Sequence, residues 1–280
     1  MLVIKKISEL QSYLSDARKN GKSIGLVPTM GALHAGHASL VERSVKENDI
    51  TVVSVFLNPT QFNDKKDLER YPRTLDADCE LLQKFGAQVV FAPSVEEVYP
   101  EEDTRKFSYP PTDSVMEGAY RPGHFNGVCQ IVSKLFSYVN PNRAYFGEKD
   151  YQQIAVIRRM VEDLGFDLQI VPCPVIRDEH GLALSSRNAL LTSDERCLAT
   201  NIYRVLRESL SLNRPVQETH DYVVNEINAI DGLEVQYYNI AEENSVADVD
   251  SWDDSDSIVG CITVFCGATP IRLIDHVRYK

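Results

Sequence analysis

The sequence predicts an α/β protein: a parallel sheet with helices on both faces, followed by a smaller α+β unit. Three observations carry that prediction. Strand-like and helix-like segments alternate through the first two-thirds of the chain. The strand-like ones are short apolar runs rich in β-branched residues, as expected of strands buried on both faces. Beyond about residue 175 the alternation stops.

Residues 7–19 place apolar side chains at helical spacing, and 23–28 form a strand-like run ending in Pro28. A helix pattern covers 36–48, and 50–56 (ITVVSVF) reads as a fully buried strand. Helix 75–85, strand 89–92, helix 125–139, strand 144–146, helix 151–164 and strand 167–171 continue the alternation. Such βαβ units imply a covered parallel sheet. After them, 193–210 and 216–230 read as helices, and 235–240, 258–265 and 271–274 as strands. The domains are therefore expected at 1–175 and 176–280. Between the last strands, 241–257 holds seven acidic residues and no basic one, which reads as a solvated loop.

Composition narrows the function. The net charge is −12, from 29 Lys and Arg against 41 Asp and Glu, so a sequence-independent nucleic-acid binder is excluded for want of a basic face. The excess is local, because residues 121–187 hold eight basic and seven acidic side chains. No apolar run is long enough for a membrane span, and Lys5, Lys6, Glu9 and Asp16 interrupt any signal peptide. Six cysteines lie scattered at Cys79, Cys129, Cys173, Cys197, Cys261 and Cys266, without a CxxC. They read as reduced thiols of a cytoplasmic protein.

Four clusters carry chemistry. Pro28 to His37 (PTMGALHAGH) joins the C-terminal end of the first buried strand to a helix, where open α/β sheets bind ligands. Gly36 admits close approach, and the helix start offers N–H groups and a positive dipole end. His34 and His37, three apart, can share one side of the first turn and donate to phosphate oxygens. A pair of cap or core histidines, or a metal pair, fits the same spacing, although the motif holds no Asp, Glu or Cys as a third ligand. The second cluster, Phe56 to Phe62 (FLNPTQF), offers Asn58 and Gln61, neutral groups suited to a substrate with hydroxyl and carboxylate. A plain Asn-Pro turn is its alternative. In the third, 144–153 (AYFGEKDYQQ), Lys149 sits at a helix start against the dipole, which hints at an anionic partner. A surface Glu-Lys-Asp trio is its alternative. In the fourth, 181–188 (GLALSSRN), Ser185, Ser186 and Arg187 make a small phosphate clamp, or Ser185 or Ser193 simply caps a helix.

Taken with RYPRTLDADCELL, FAPSVEEVYP, RPGHFNGV, SKLF, IRDEHGLALSSRN and RLIDH, in this order, the clusters resemble the pantothenate synthetase (pantoate–β-alanine ligase) family of the HIGH-motif nucleotidyltransferase superfamily. The match runs from about residue 1 to 276, weakest in the C-terminal third and poor over 101–114. The resemblance implies a Rossmann-like first domain and a smaller C-terminal lid, with Arg187 near the hinge. It implies ATP-dependent ligation in two steps: pantoate and ATP give pantoyl adenylate and pyrophosphate, then β-alanine gives pantothenate and AMP. Met30, Gly31, Ala32, Leu33, His34, Ala35, Gly36 and His37 would lie along ATP, with both histidines on its phosphates and His37 as proton donor. Gln61 and Gln153, with Asn58, would hold pantoate, and Gln61 would also meet β-alanine. Gly147, Glu148, Lys149 and Asp150 would bind ATP, with Lys149 on the phosphates and Asp150 on the ribose. Ile176, Leu184, Ser185, Ser186 and Arg187 would complete the nucleotide site. Arg121 would face the triphosphate or a closed interface. Mg²⁺ on the phosphates and a homodimer are implied too. Ala35 departs from the acidic residue common in the family, at a position read as solvent-directed.

Two other functions are weighed. A nucleotidyltransferase acting on a phosphorylated substrate calls for a cation where Gln61 and Gln153 stand. A non-catalytic nucleotide-binding scaffold releases no AMP. An aminoacyl-tRNA synthetase shares the HIGH motif, but this chain is acidic and has no anticodon-binding extension.

Overall fold

The structure, a computed structural model, describes residues 1–63, 68–69 and 71–280. Arg70, which begins the RYPRTLDADCELL stretch, lies outside them. The chain divides into two compact units. The first comprises Met1–Tyr109, Arg121–Glu148 and Val156–Cys173. The second comprises Pro110–Tyr120, Lys149–Ala155 and Pro174–Lys280. The second unit is thus assembled from three pieces rather than from residues 176–280 alone.

The first unit holds β1 (Leu2–Ile4), α1 (Ile7–Lys19), β2 (Ile24–Thr29), α2 (Ala35–Glu47), β3 (Ile50–Val55), α3 (Leu75–Lys84), β4 (Val89–Phe91), α4 (Val95–Val98), α6 (His124–Val139), β5 (Arg143–Gly147) and β6 (Gln169–Cys173). Its six strands run parallel in the order β1-β4-β3-β2-β5-β6. The β-branched run of β3 is buried throughout apart from Val55. Val27, Val53 and Val90 of the sheet pack with Leu40, Val41 and Leu82 of α2 and α3. β2 lies between β3 and β5, so strand order reverses beside it. In such sheets the crevice at the carboxyl ends of those strands is the ligand site. Here those ends are Thr29 and Gly147.

The second unit pairs β7 (Leu233–Glu242), β8 (Ile258–Cys266) and β9 (Ile271–Arg278) antiparallel, with α8 (Ser193–Ser209) and α9 (Val216–Asn228) packed against them. Its core includes Ile202, Val205, Leu206, Val223, Ile227, Ile262 and Val264. α5 (Glu117–Tyr120) belongs to it, as does the first turn of α7 (Tyr151–Leu164).

Three expectations are corrected. β1 is a strand that the sequence reading passed over. β9 runs to Arg278 rather than stopping at Ile274, because Arg177 holds the strand-interior Asp275 in a two-pronged ion pair at 2.6 and 2.7 Å. The acidic tract is not simply solvated. Val246 and Val249 are buried in it, Glu242 accepts from Ser245 and Asn244, and Asp254 accepts from Asp250 and Ser251 as the cap of a short turn. Those carboxylates serve as caps for their own loop.

Candidate active site

The β2–α2 loop turns through Gly31 at φ 85° and Ala32 at φ 52°, both left-handed. Asp78 on α3 holds that shape. Its Oδ2 accepts the Ala32 N–H at 3.1 Å, its Oδ1 the Leu33 N–H at 2.8 Å, and the Thr74 hydroxyl donates to Oδ1 at 3.3 Å. A side chain at Gly31 would place its Cβ 3.1 Å from Oδ2, so the close approach suits glycine.

His34 then caps α2. Its Nδ1 accepts the Gly36 N–H at 3.1 Å, while the His37 Nδ1 accepts the His34 N–H at 3.3 Å. The ring centres lie 4.1 Å apart. A backbone N–H can only donate, so both Nδ1 atoms are unprotonated and both neutral rings carry their proton on Nε2. The cap reading and the phosphate reading of these histidines are therefore compatible: one nitrogen of each ring caps, and the other is a donor at a helix N-terminus, where N–H groups and dipole favour an anion. Ala35 is exposed, as expected.

Gln61 sits on the turn after β3, a short helical turn Pro59–Gln61. Its Nε2 lies 3.1 Å from the Met30 sulfur, which joins the turn to the β2–α2 loop. The RPGHFNGV stretch backs this turn. Arg121 approaches the His124 Nε2 at 3.3 Å, so the imidazole accepts there and its Nδ1–H donates to the Gln61 carbonyl at 2.9 Å. A Cβ on Gly127 would lie 2.3 Å from the Thr60 carbonyl oxygen, a separation that leaves no room for any side chain. Asn58 is only 1 % exposed. Its Nδ2 faces the Gly127 carbonyl, the Thr60 hydroxyl and the Gln61 Oε1, each at 3.1 Å. Its Oδ1 accepts from Tyr99 at 2.8 Å and from Thr60 at 3.2 Å. Both protons and both lone pairs of Asn58 find partners here, and it stands directly behind Gln61.

In the second unit, Leu184 N–H donates to the Ile176 carbonyl at 2.9 Å, and Arg177 bridges Ala183. Ile176 and Leu184 are thus neighbours on one hairpin. Its Arg177 lies 3.4 Å over the Tyr203 ring while gripping Asp275. Ser185 caps the short helix Ser186–Leu190 by accepting the Arg187 N–H at 3.3 Å; α8 is capped instead by Thr192, not Ser193. Lys149, Ser185, Arg187, Asn188, Arg272 and Asp275 line one pocket, and Lys149 Nζ lies 3.4 Å from Asp150. Gln153 is half-buried on the first turn of α7, and Ser186 is half-buried beside Arg187. Gln152, next to Gln153 in the chain, is buried, accepts from the Glu117 N–H at 2.9 Å, and donates to the Thr112 and Val115 carbonyls. Glu117 in turn takes Arg272, Tyr237 and Thr263. Gly147 ends β5 with open space where a Cβ would stand, and Glu148 follows it half-buried.

The sequence reading missed Asp78, Tyr99, His124, Gly127, Gln152 and Glu117. Asp78 had a readable signal: it falls four residues before Leu82, on the inward face of α3, where a carboxylate needs partners. Gly127 and His124 lay inside a quoted motif without an assigned task.

A model of the pantoate-beta-alanine ligase family matches residues 2–278. Pantothenate synthetase from Phocaeicola vulgatus is 62% identical over 283 residues, covering all of both chains. One from Bacteroides fragilis is 61% identical over 282 residues, covering all of this chain and 99% of its own. Among solved structures, pantothenate synthetase from Thermus thermophilus superposes with a TM-score of 0.93 at 41% identity, covering 100% of this chain and 99% of that one. Pantoate-beta-alanine ligase from Francisella tularensis, solved with beta-gamma ATP and β-alanine, gives 0.84 at 35%, covering 100% and 98%.

Proposed function

Because this chain belongs to the pantoate–β-alanine ligase family along nearly its whole length, we propose that it makes pantothenate from pantoate, β-alanine and ATP through a pantoyl adenylate. The observation that carries the reading is the reciprocal capping of His34 and His37, which occupies both Nδ1 atoms and leaves the proton of each neutral ring on Nε2 at the start of α2. In the first step a pantoate carboxylate oxygen attacks the α-phosphorus, and the bond to the bridging oxygen breaks to release pyrophosphate. His34 and His37 donate to phosphate oxygens whose charge grows as that bond breaks. In the second step the β-alanine amine attacks the acyl carbon and loses a proton, and the bond from that carbon to the bridging oxygen breaks, so AMP leaves with the oxygen that had attacked phosphorus.

Each residue has a proposed task. The backbone from Met30 to His37 lies along ATP. Lys149 and Arg187, with the Ser185 and Ser186 hydroxyls, offset phosphate charge. Asp150 takes the ribose, and Gly147, Glu148, Ile176 and Leu184 complete the nucleotide surface. Gln61 and Gln153 donate to pantoate, and Gln61 also meets β-alanine. A neutral amide suits a carboxylate that must react, since a fixed cation stabilises ground and transition states alike. Holding nucleophile and phosphorus together contributes on the order of 7–11 kcal/mol in well-oriented systems.

Mg²⁺ accompanies ATP in this reading. Among the described residues no three His, Cys, Asp or Glu side chains gather as a metal cage. A Mg²⁺ bound with phosphates would need no such cage, because this cation dehydrates reluctantly and is held mainly through substrate phosphates rather than by an all-protein site. When bound it spreads the triphosphate charge. A homodimer in the cytoplasm completes the proposal. The six free thiols support a reducing compartment, and no helix among the described residues is long and apolar enough to cross a membrane.

The test is pantoate-dependent exchange of labelled pyrophosphate into ATP without β-alanine. Exchange is expected with wild type and a loss of at least about a hundredfold with His37→Ala, from one oxyanion-type donor. Absence of exchange from the folded protein with Mg²⁺ sinks the proposal.

A further inference from the structure

The amide of Gln61 can present either its oxygen or its NH₂ group to a ligand, and only one of these suits a carboxylate. The surroundings decide which. The Gly127 carbonyl can only accept, so the Asn58 atom facing it at 3.1 Å is nitrogen. The Asn58 oxygen must then face Tyr99, whose hydroxyl donates at 2.8 Å. The Asn58 nitrogen also faces the Gln61 Oε1 at 3.1 Å, which leaves Gln61 Nε2 on the side of the Met30 sulfur and the β2–α2 loop. Polarity therefore passes from a fixed backbone carbonyl, through Asn58, to the substrate-facing glutamine.

We propose that Tyr99 is a positioning residue for pantoate recognition: it clamps the oxygen end of Asn58, so that Gln61 is held with its NH₂ group toward the pantoate carboxylate. The inference rests on the reading of Gln61 as a pantoate ligand. The Thr60 hydroxyl cannot do this work alone. It lies 3.1 Å from the nitrogen and 3.2 Å from the oxygen of Asn58, so it fits either orientation of the amide. Tyr99 touches the oxygen end only, and burial pushes its phenol up to about 12, so it stays a donor at all working pH values. The ring is itself held: Lys134 lies 5.2 Å over its face, and Phe56 lies 6.3 Å away between ring centres.

The test is steady-state kinetics of Tyr99→Phe and Gln61→Ala, singly and together. Tyr99→Phe is expected to raise KM for pantoate roughly five- to tenfold, the worth of one buried hydrogen bond, with KM for ATP within twofold. In the double variant the Tyr99 effect disappears, because there is no amide left to orient. A merely structural role for Tyr99 moves both KM values, or adds to Gln61→Ala, and overturns the inference. If Gln61→Ala leaves KM for pantoate unchanged, the reading of Gln61 fails first and takes the inference with it. If Gln61→Ala raises it and Tyr99→Phe does not, only the inference fails. Should Tyr99→Phe lose its fold, Asn58→Ser, which deletes the relay from the other side, must show the same split between the two KM values or overturn it.

Discussion

Replacing Asp78 by Asn tests whether the histidine pair depends on a carboxylate that touches neither ring. Asp78 gives one oxygen to Ala32 N–H and the other to Leu33 N–H. Asn keeps one acceptor and turns the other into an NH₂ group facing an N–H. One charge-assisted bond, worth about 1.5–3 kcal/mol, is lost, and the facing donor is left with nothing to bind. The same bonds hold Ala32 left-handed, a conformation that costs about 1–2 kcal/mol for a residue with a Cβ. Released, Ala32 relaxes toward negative φ and carries Leu33 and His34 with it. The His34 N–H then leaves the His37 Nδ1, and both Nε2–H donors swing. Misplacement by about 1 Å costs about a hundredfold in rate. Asp78→Asn should therefore lose about 2–3 kcal/mol in urea unfolding and at least tenfold in pyrophosphate exchange. Wild-type exchange in a variant destabilised by that amount would refute the coupling between Asp78 and the histidines. Wild-type stability would refute the bonds themselves.

Gly127→Ala puts a methyl group 2.3 Å from the Thr60 carbonyl oxygen and 2.5 Å from its carbon, so the turn carrying Gln61 must move. Overpacking of this kind costs about 1–3 kcal/mol, and KM for pantoate should rise more than KM for ATP; equal KM values and equal stability would show that the turn is free to shift. His276 gives a pH dependence. Burial lowers its imidazole to about 4 from an ordinary 6.5, helped by Arg177, Arg278 and Lys149 and opposed by Asp275. The unfolded chain binds that proton between those values and the folded chain does not, so the stabilisation is complete above about pH 6.5 and is lost as pH falls toward 4. The slope is at most about 1.4 kcal/mol per pH unit, some 3 kcal/mol in all. Urea unfolding at pH 7 and pH 5 should show it, and His276→Asn should flatten it; an unchanged slope in that variant assigns the acid sensitivity elsewhere.

What the sequence made legible follows from the range of the interactions. The run ITVVSV announces a doubly buried strand because each residue carries the signal, and the helix Tyr151–Leu164 repeats its apolar face every turn. β1 has three residues, two of them about half exposed, and offers no pattern to read. β9 breaks its own pattern at Asp275, and Arg177, far back in the chain, helps to make a carboxylate tolerable inside a strand. The site divides in the same way. The motifs with His34, His37, Gln61, Lys149 and Arg187 are contiguous stretches that can be recognised as such. Their supports are single polar residues that bond to backbone or side chains remote in sequence: Asp78 to Leu33, Tyr99 to Asn58, His124 to the Gln61 carbonyl. Such bonds have no period and no fixed spacing, so no window of sequence displays them.

The same division accounts for the charge. A net −12 is an unpromising balance for binding a triphosphate and a carboxylate, yet many of the acidic side chains beside the motifs are turned to internal use. Asp78 is covered by loop N–H groups, Asp275 by Arg177, and Glu117 by Arg272, each pair or cradle largely removed from water. A carboxylate so covered projects little field beyond its partners, whereas an Nε2–H or an amide NH₂ fixed in direction is a positive end wherever it points. Both kinds of group come from one device, an acceptor or donor of the backbone that dictates which end of a neutral side chain faces outward. Backbone N–H groups hold the Nδ1 of the histidines, and a backbone carbonyl, through Asn58, holds the oxygen of Gln61. On the proposed function, anion recognition in this chain is therefore a matter of oriented neutral donors with a few cations added, and it can stand within an acidic protein without contradiction.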